Sequence, residues 1–180
     1  MTRHIGTLFL MLLIIVPAVG QKDTGFKEFY YPPASKLFDA RHYFKTLQYY
    51  NDELAAMTLR TAKDSADMAN VYYLRGRCKF ELTDKRGAKD DLTLAIELFS
   101  KQESFYYYRG LSNHWLKMYD EAMVDYDSAI KLNPTKMAYY VNRGFVKYLT
   151  GDLDAACYDF SRAGENGSFE IYEIIKDYCN

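Results

Sequence analysis

Most of this chain alternates apolar and polar residues at helical spacing, and the alternation itself repeats. Three similar pentads carry the repeat: Tyr72-Tyr73-Leu74-Arg75-Gly76, Tyr106-Tyr107-Tyr108-Arg109-Gly110 and Tyr140-Val141-Asn142-Arg143-Gly144. Gly76, Gly110 and Gly144 are evenly spaced, at a period of 34. Ala88, Ala122 and Ala156 follow the glycines at one fixed offset, and Ala95, Ala129 and Ala163 at another. Leu92, Tyr126 and Phe160 fall between them. Each unit reads aromatic, small, turn, small, large apolar, small. A fixed period of this length marks an array of helical units that bury their apolar faces by stacking. The pattern predicts paired helices over 69–102, 103–136 and 137–167. Asn133-Pro134 ends one unit, because a residue before proline disfavours the helical region. Gly151-Asp152 reads as an inner turn, and Gly164-Glu165-Asn166-Gly167 as the next break.

A glycine inside a helix costs about 1 kcal/mol relative to alanine. Three at one period need a packing reason, and close approach of the paired helix supplies it. The alanines of the second helix are the matching small surface. The arginines also have periodic partners: Asp91, Asp125 and Asp159 follow Arg75, Arg109 and Arg143 at one constant separation. Across a helical hairpin this spacing predicts three structural ion pairs, bidentate where geometry allows.

Upstream, Leu37, Ala40, Phe44 and Leu47 suit an amphipathic helix over Lys36 to Tyr50. Leu54, Ala55, Leu59 and Ala62 suit a partner helix from Asn51 to Thr61. Residues 36–68 therefore read as a divergent first unit. Ala55, Leu59 and Ala62 precede Ala88, Leu92 and Ala95 by one less than the period, and no glycine matches. Downstream, 168–180 reads as a C-terminal capping helix. Ser168 can cap it, and Phe169, Tyr172, Ile174 and Ile175 offer an apolar face.

These positions resemble the tetratricopeptide repeat (TPR), a pair of antiparallel helices. Tyr106, Gly110, Tyr119, Ala122, Tyr126, Ala129 and Pro134 fit that pattern nearly throughout. Arg75, Arg109 and Arg143 depart from it, standing where leucine is commonest. The resemblance implies an all-α, TPR-like α-solenoid of antiparallel helix pairs. It also implies a concave face, lined by first helices, that receives a peptide or helix. The residues so placed are Tyr73, Arg77, Phe80, Tyr107, Leu111, His114, Trp115, Val141, Phe145 and Tyr148. Tryptophan, tyrosine and arginine are enriched at binding hot spots. The alternative is that Trp115 and some tyrosines pack against the cap or the leader. Some TPR proteins grip a C-terminal carboxylate with lysines and asparagines, but Tyr73 and Leu111 stand where polar residues would be wanted. The ending Tyr172 to Cys179 resembles the tail of many exported bacterial TPR proteins.

Residues 1–20 are a separate object. Arg3 and His4 precede an unbroken apolar run from Leu8 to Val16, and Ala18 and Gly20 are small. This is the three-part pattern of a secretory signal peptide, cut after Gly20. An uncleaved anchor is the alternative, but Ile5 to Val19 is short of the ~20 residues a spanning helix needs. Export to the periplasm or beyond is expected, with membrane contact only through that transient segment. Residues 21–35 read as a leader, extended at Pro32-Pro33.

Composition adds exclusions. With 23 basic and 24 acidic residues the chain carries a formal charge of −1, and losing Arg3 makes it −2. That balance gives no electrostatic case for nucleic acid. Phosphate loops and nucleophile or metalloprotease motifs are absent. His42 and His114 lie in different units without metal spacing. No metal, cofactor or catalytic role is expected. Cys78 suits a small core residue. Cys157 and Cys179 either form a bridge between the last unit and its cap or stay as two buried thiols. The expected function is a non-enzymatic, exported interaction scaffold for a protein partner, with a self-associating envelope module as the alternative.

Overall fold

The computed structural model describes residues 40–57 and 62–165, with Glu173, Ile175, Lys176, Tyr178 and Cys179 near the end. Residues 1–20, expected as a signal peptide, residues 21–35, expected as a leader, residues 36–39, and Ser168, Phe169, Tyr172 and Ile174 of the expected cap lie outside the described residues, as does the side chain of His42. Seven helices run through the described residues: α1 (Ala40–Ala56), α2 (Ala62–Glu81), α3 (Lys85–Leu98), α4 (Glu103–Trp115), α5 (Tyr119–Leu132), α6 (Met137–Thr150) and α7 (Leu153–Gly164). No strand occurs among them. The fold is all-α. α2 pairs with α3, α4 with α5 and α6 with α7, and each pair stacks on the next.

The first unit differs from its expectation. Residues 40–56 form one continuous helix, with no turn at Tyr50-Asn51. No glycine or proline stands there to break it, and the Gln48 side-chain amide donates to Asp52 across the expected turn at 2.9 Å. α2 starts at Ala62, earlier than the expected boundary at Ala69, and has 20 residues. The alanines Ala62, Ala66 and Ala69 favour helix over this stretch. α1 therefore packs on α2 as a single helix, and the Asn51 side chain accepts from Arg75 at 3.0 Å.

The repeated small and large residues form the core. The six periodic alanines are fully buried, as are Leu92, Tyr126 and Phe160. A Cβ on Gly110 would lie 2.8 Å from the Tyr126 ring, and one on Gly144 would lie 2.7 Å from the Phe160 ring. The glycines are where the first helix of each pair meets the large residue of the second.

The inner turns share one geometry. Backbone N–H groups of Thr83 and Asp84 donate to the carbonyls of Phe80 and Lys79; Lys117 with Met118 and Gly151 with Asp152 repeat this. This is the Schellman pattern, which closes a helix through a left-handed residue. Thr83 (φ 69°), Lys117 (φ 62°) and Gly151 (φ 91°) hold that place, one in each repeat. Only the last turn has the residue the geometry favours. Asp84 and Asp152 then cap the next helix, accepting from Gly87 and Ala155 N–H.

Candidate functional site

The pentads build a polar spine before they build a surface. Arg75 donates from Nε (2.8 Å) and Nη2 (2.6 Å) to Asp91, and Arg143 does the same to Asp159 at 2.9 and 2.6 Å. Arg109 donates to Asp125 from the same atoms, 3.1 and 2.6 Å. The three carboxylates are almost wholly buried. Each guanidinium also lies over the tyrosine that opens its pentad, at 5.3 Å for Tyr72, 5.8 Å for Tyr106 and 5.7 Å for Tyr140. The hydroxyls of Tyr106 and Tyr140 reach back to hold the preceding inter-unit loop, donating to Ser100 and Pro134 carbonyls. The pentad's tyrosine, arginine and glycine are thus parts of one joint.

The spine is not uniform. A lysine one turn after the arginine gives a second cation in two units: Lys79 to Asp91 and Lys147 to Asp159, both 2.9 Å. In the middle unit Asn113 stands there and donates to Asp125 at 2.9 Å. Burial raises the Asp125 carboxyl, against the opposing pull of Arg109 and Asn113.

The ten residues expected in the groove divide. Phe80, Leu111, Val141 and Phe145 are buried and belong to the core. Phe145 packs on Phe160 and on Tyr178 of the terminal segment. Tyr178 also meets Tyr148 edge-on at 4.9 Å, so the chain end covers part of the last unit. The Tyr178 ring thus helps to bury Phe145 and shields Tyr148. Tyr107 is a joint between units: its ring meets Tyr108, Tyr126 and Tyr139, and its hydroxyl accepts from Asn142 at 3.2 Å. Burial raises its pKa. Burial also pushes His114 down to about 4, so it is neutral near pH 7. It packs against Tyr119.

The remaining groove residues join others in a strip built over the buried Phe80. Arg77 lies over the rings of Tyr73 (5.5 Å) and Tyr108 (4.9 Å) and is exposed. Tyr108 meets Phe80 edge-on. Lys85 Nζ sits over Phe80 at 3.4 Å and faces Trp115 at 5.5 Å. Lys85 also donates to the Phe80 carbonyl near the end of α2, and burial lowers its ammonium to about 8. Trp115 is half exposed, 50 %. A cation–aromatic strip of this kind suits an interaction surface.

Cys157 and Cys179 are disulfide-bonded, and Cys78 is a buried free thiol. Among the described residues, no group of three metal-ligating side chains could hold an ion, and no helix is long and apolar enough to cross a membrane.

Residues 104–136 match the family model for the tetratricopeptide repeat. Solved TPR structures superpose on the array. The first TPR of Spaghetti (RPAP3), bound to HSP90 peptide SRMEEVD, has a TM-score of 0.60 and 22 % identity, covering 63 % of this chain and 92 % of that one. The Arabidopsis OM64 TPR domain gives 0.61 and 19 %, covering 64 % and 97 %. MamA protein gives 0.55 and 24 %, covering 77 % and 72 %.

This is a tetratricopeptide-repeat fold.

No relative among curated proteins matches the chain. Within the TPR array, sequence reasoning missed Tyr108, which links Arg77 to Phe80, and Lys85, which links Phe80 to Trp115. The first shares a pentad with Tyr107 and cannot be told from it by spacing. The second follows an inner turn that the sequence does not mark with glycine.

Proposed function

We propose that the protein is a non-enzymatic, exported adaptor that binds a segment of another protein along the cation–aromatic strip. The observation that carries this is the cation–aromatic run from Arg77 through Tyr108 to Lys85 and Trp115, exposed at Arg77 and Trp115 and half-buried between them. The fold supports it: the RPAP3 and Sti1 TPR structures hold HSP90 and HSP70 ligands. The N-terminal pattern and the Cys157–Cys179 bridge support export, since disulfides persist outside the reducing cytosol.

The test is affinity capture from a native cell envelope using residues 21–180, beside an Arg77→Ala/Trp115→Ala variant. Tyr107 is left intact because its ring is a joint between units. A protein retained by the parent and lost by a folded variant supports the adaptor. Concentration-dependent self-association in light scattering, with nothing captured, favours the self-associating module instead.

A further inference from the structure

A second site shares no residue with the strip. Between α3, α4 and α5 is a cavity of about 390 Å³, lined in part by Lys89, Thr93, Arg109, Asn113, Glu121 and Asp125. The repeat itself shows what ordinarily fills this place. One unit later, Lys147 extends to Asp159 and Asp127 reaches Arg143. The matching residues here, one period earlier, are Asn113 and Thr93, both shorter and uncharged. The lysine's ammonium is therefore missing beside Asp125, and a cavity stands in its place.

Three features say what chemistry the cavity takes. Asn113 is only 4 % exposed, lines the cavity, and has an Oδ1 acceptor with no hydrogen-bond partner. Asp125 lacks the second cation that Asp91 and Asp159 have. Asp120 and Glu121, both exposed, add negative charge to the lining. Two cations also face the cavity. Arg109 is committed to Asp125 through Nε and Nη2, and Lys89 Nζ rests 3.9 Å from the Met118 sulfur, a weak acceptor.

We propose that this cavity binds a primary ammonium group presented by a partner chain, as a lysine side chain or a free N-terminus. The ammonium would donate to Asn113 Oδ1 and stand beside Asp125, where Lys147 stands beside Asp159. The array would then carry two separate recognition points, one aromatic and one for a cation.

The test is an NMR titration of the isotope-labelled mature chain with small probes, independent of any protein partner. Nα-acetyl-lysine methylamide presents the side-chain ammonium, and alanine methylamide the α-ammonium. Nα-acetyl-norleucine methylamide and acetate are the controls. A saturable shift of the Asn113 side-chain amide and the Thr93 and Val124 amides is expected with an ammonium probe and not with the controls; whichever ammonium probe acts names the source. Asn113→Lys, the residue found in the neighbouring units, should weaken the response at least about tenfold, the equivalent of one charge-assisted hydrogen bond. Lys89→Met, which copies Met123 of the next unit, should retain or strengthen it. Glu121→Gln, on the exposed rim, should weaken it without perturbing the fold. No response to either ammonium probe, an equal response to norleucine or acetate, or an undiminished response in a folded Asn113→Lys would overturn the proposal.

Discussion

At the scale of the residue, the middle unit is the informative one. Removing an arginine of the spine strands a buried carboxylate, and such losses cost about 3–5 kcal/mol when no other cation remains. Arg109→Ala should approach that range, because Asp125 keeps only neutral Asn113. Arg143→Ala should cost clearly less, because Asp159 keeps Lys147. Denaturant unfolding of both variants checks the order. Asn113→Lys should lower the Asp125 pKa, read by side-chain carboxyl NMR. His114 supplies a pH test. Its folded value, about 4, lies below the unfolded value, so the folded state resists protonation. The stability it contributes is complete above about pH 6.5 and is lost as pH falls toward about 4. His114→Phe should flatten that part of a melting-temperature profile. The Arg–Asp register is legible in the sequence, since both partners repeat at one constant separation. The lysine–asparagine alternation at 79, 113 and 147 is not, because its meaning depends on the hairpin placing those side chains beside the aspartates.

At the scale of the element, the glycines and turns make opposite predictions. Gly144→Ala gains about 1 kcal/mol of helix propensity but drives a methyl into Phe160, and overpacking costs roughly 1–3 kcal/mol. A net loss of melting temperature is expected. Thr83→Gly should instead stabilise by about 1 kcal/mol, because a β-branched residue is held at φ 69°. Lys117→Gly should act in the same direction. The glycines and alanines are readable because close helix contact admits little else. The inner turns at Thr83 and Lys117 are not, since neither residue type signals a left-handed backbone. The expected break at Tyr50-Asn51 also failed. Apolar spacing shows the face of a helix but not whether two faces belong to one helix, and only a breaker residue would have separated them.

At the scale of the whole molecule, the segment after α7 packs back on the α6–α7 pair. Ile175, Tyr178 and Cys179 pack on the core, and the Cys157–Cys179 bond ties them there. In the chain-entropy model a bridge over 22 residues contributes roughly 3 kcal/mol. Reduction, or Cys157→Ser with Cys179→Ser, should lower the melting temperature and speed proteolysis near Tyr178. The same packing removes Phe145 and part of Tyr148 from the expected groove. The alternative read from the sequence, that some tyrosines pack against the cap, holds for Tyr148, which meets Tyr178; Phe145 is not among the residues it covers, because spacing places a ring on a helix but not in the core. What stays exposed of the strip is Arg77 and Trp115, with Tyr108 and Lys85 half-buried between them, and the adaptor reading rests on it. The most direct measurement is a calorimetric titration of the captured partner into the parent and into Arg77→Ala/Trp115→Ala, with melting curves of both. Loss of affinity of about tenfold or more at an unchanged melting temperature is the expected result for two hot-spot residues. Equal affinity in the folded variant would contradict the account.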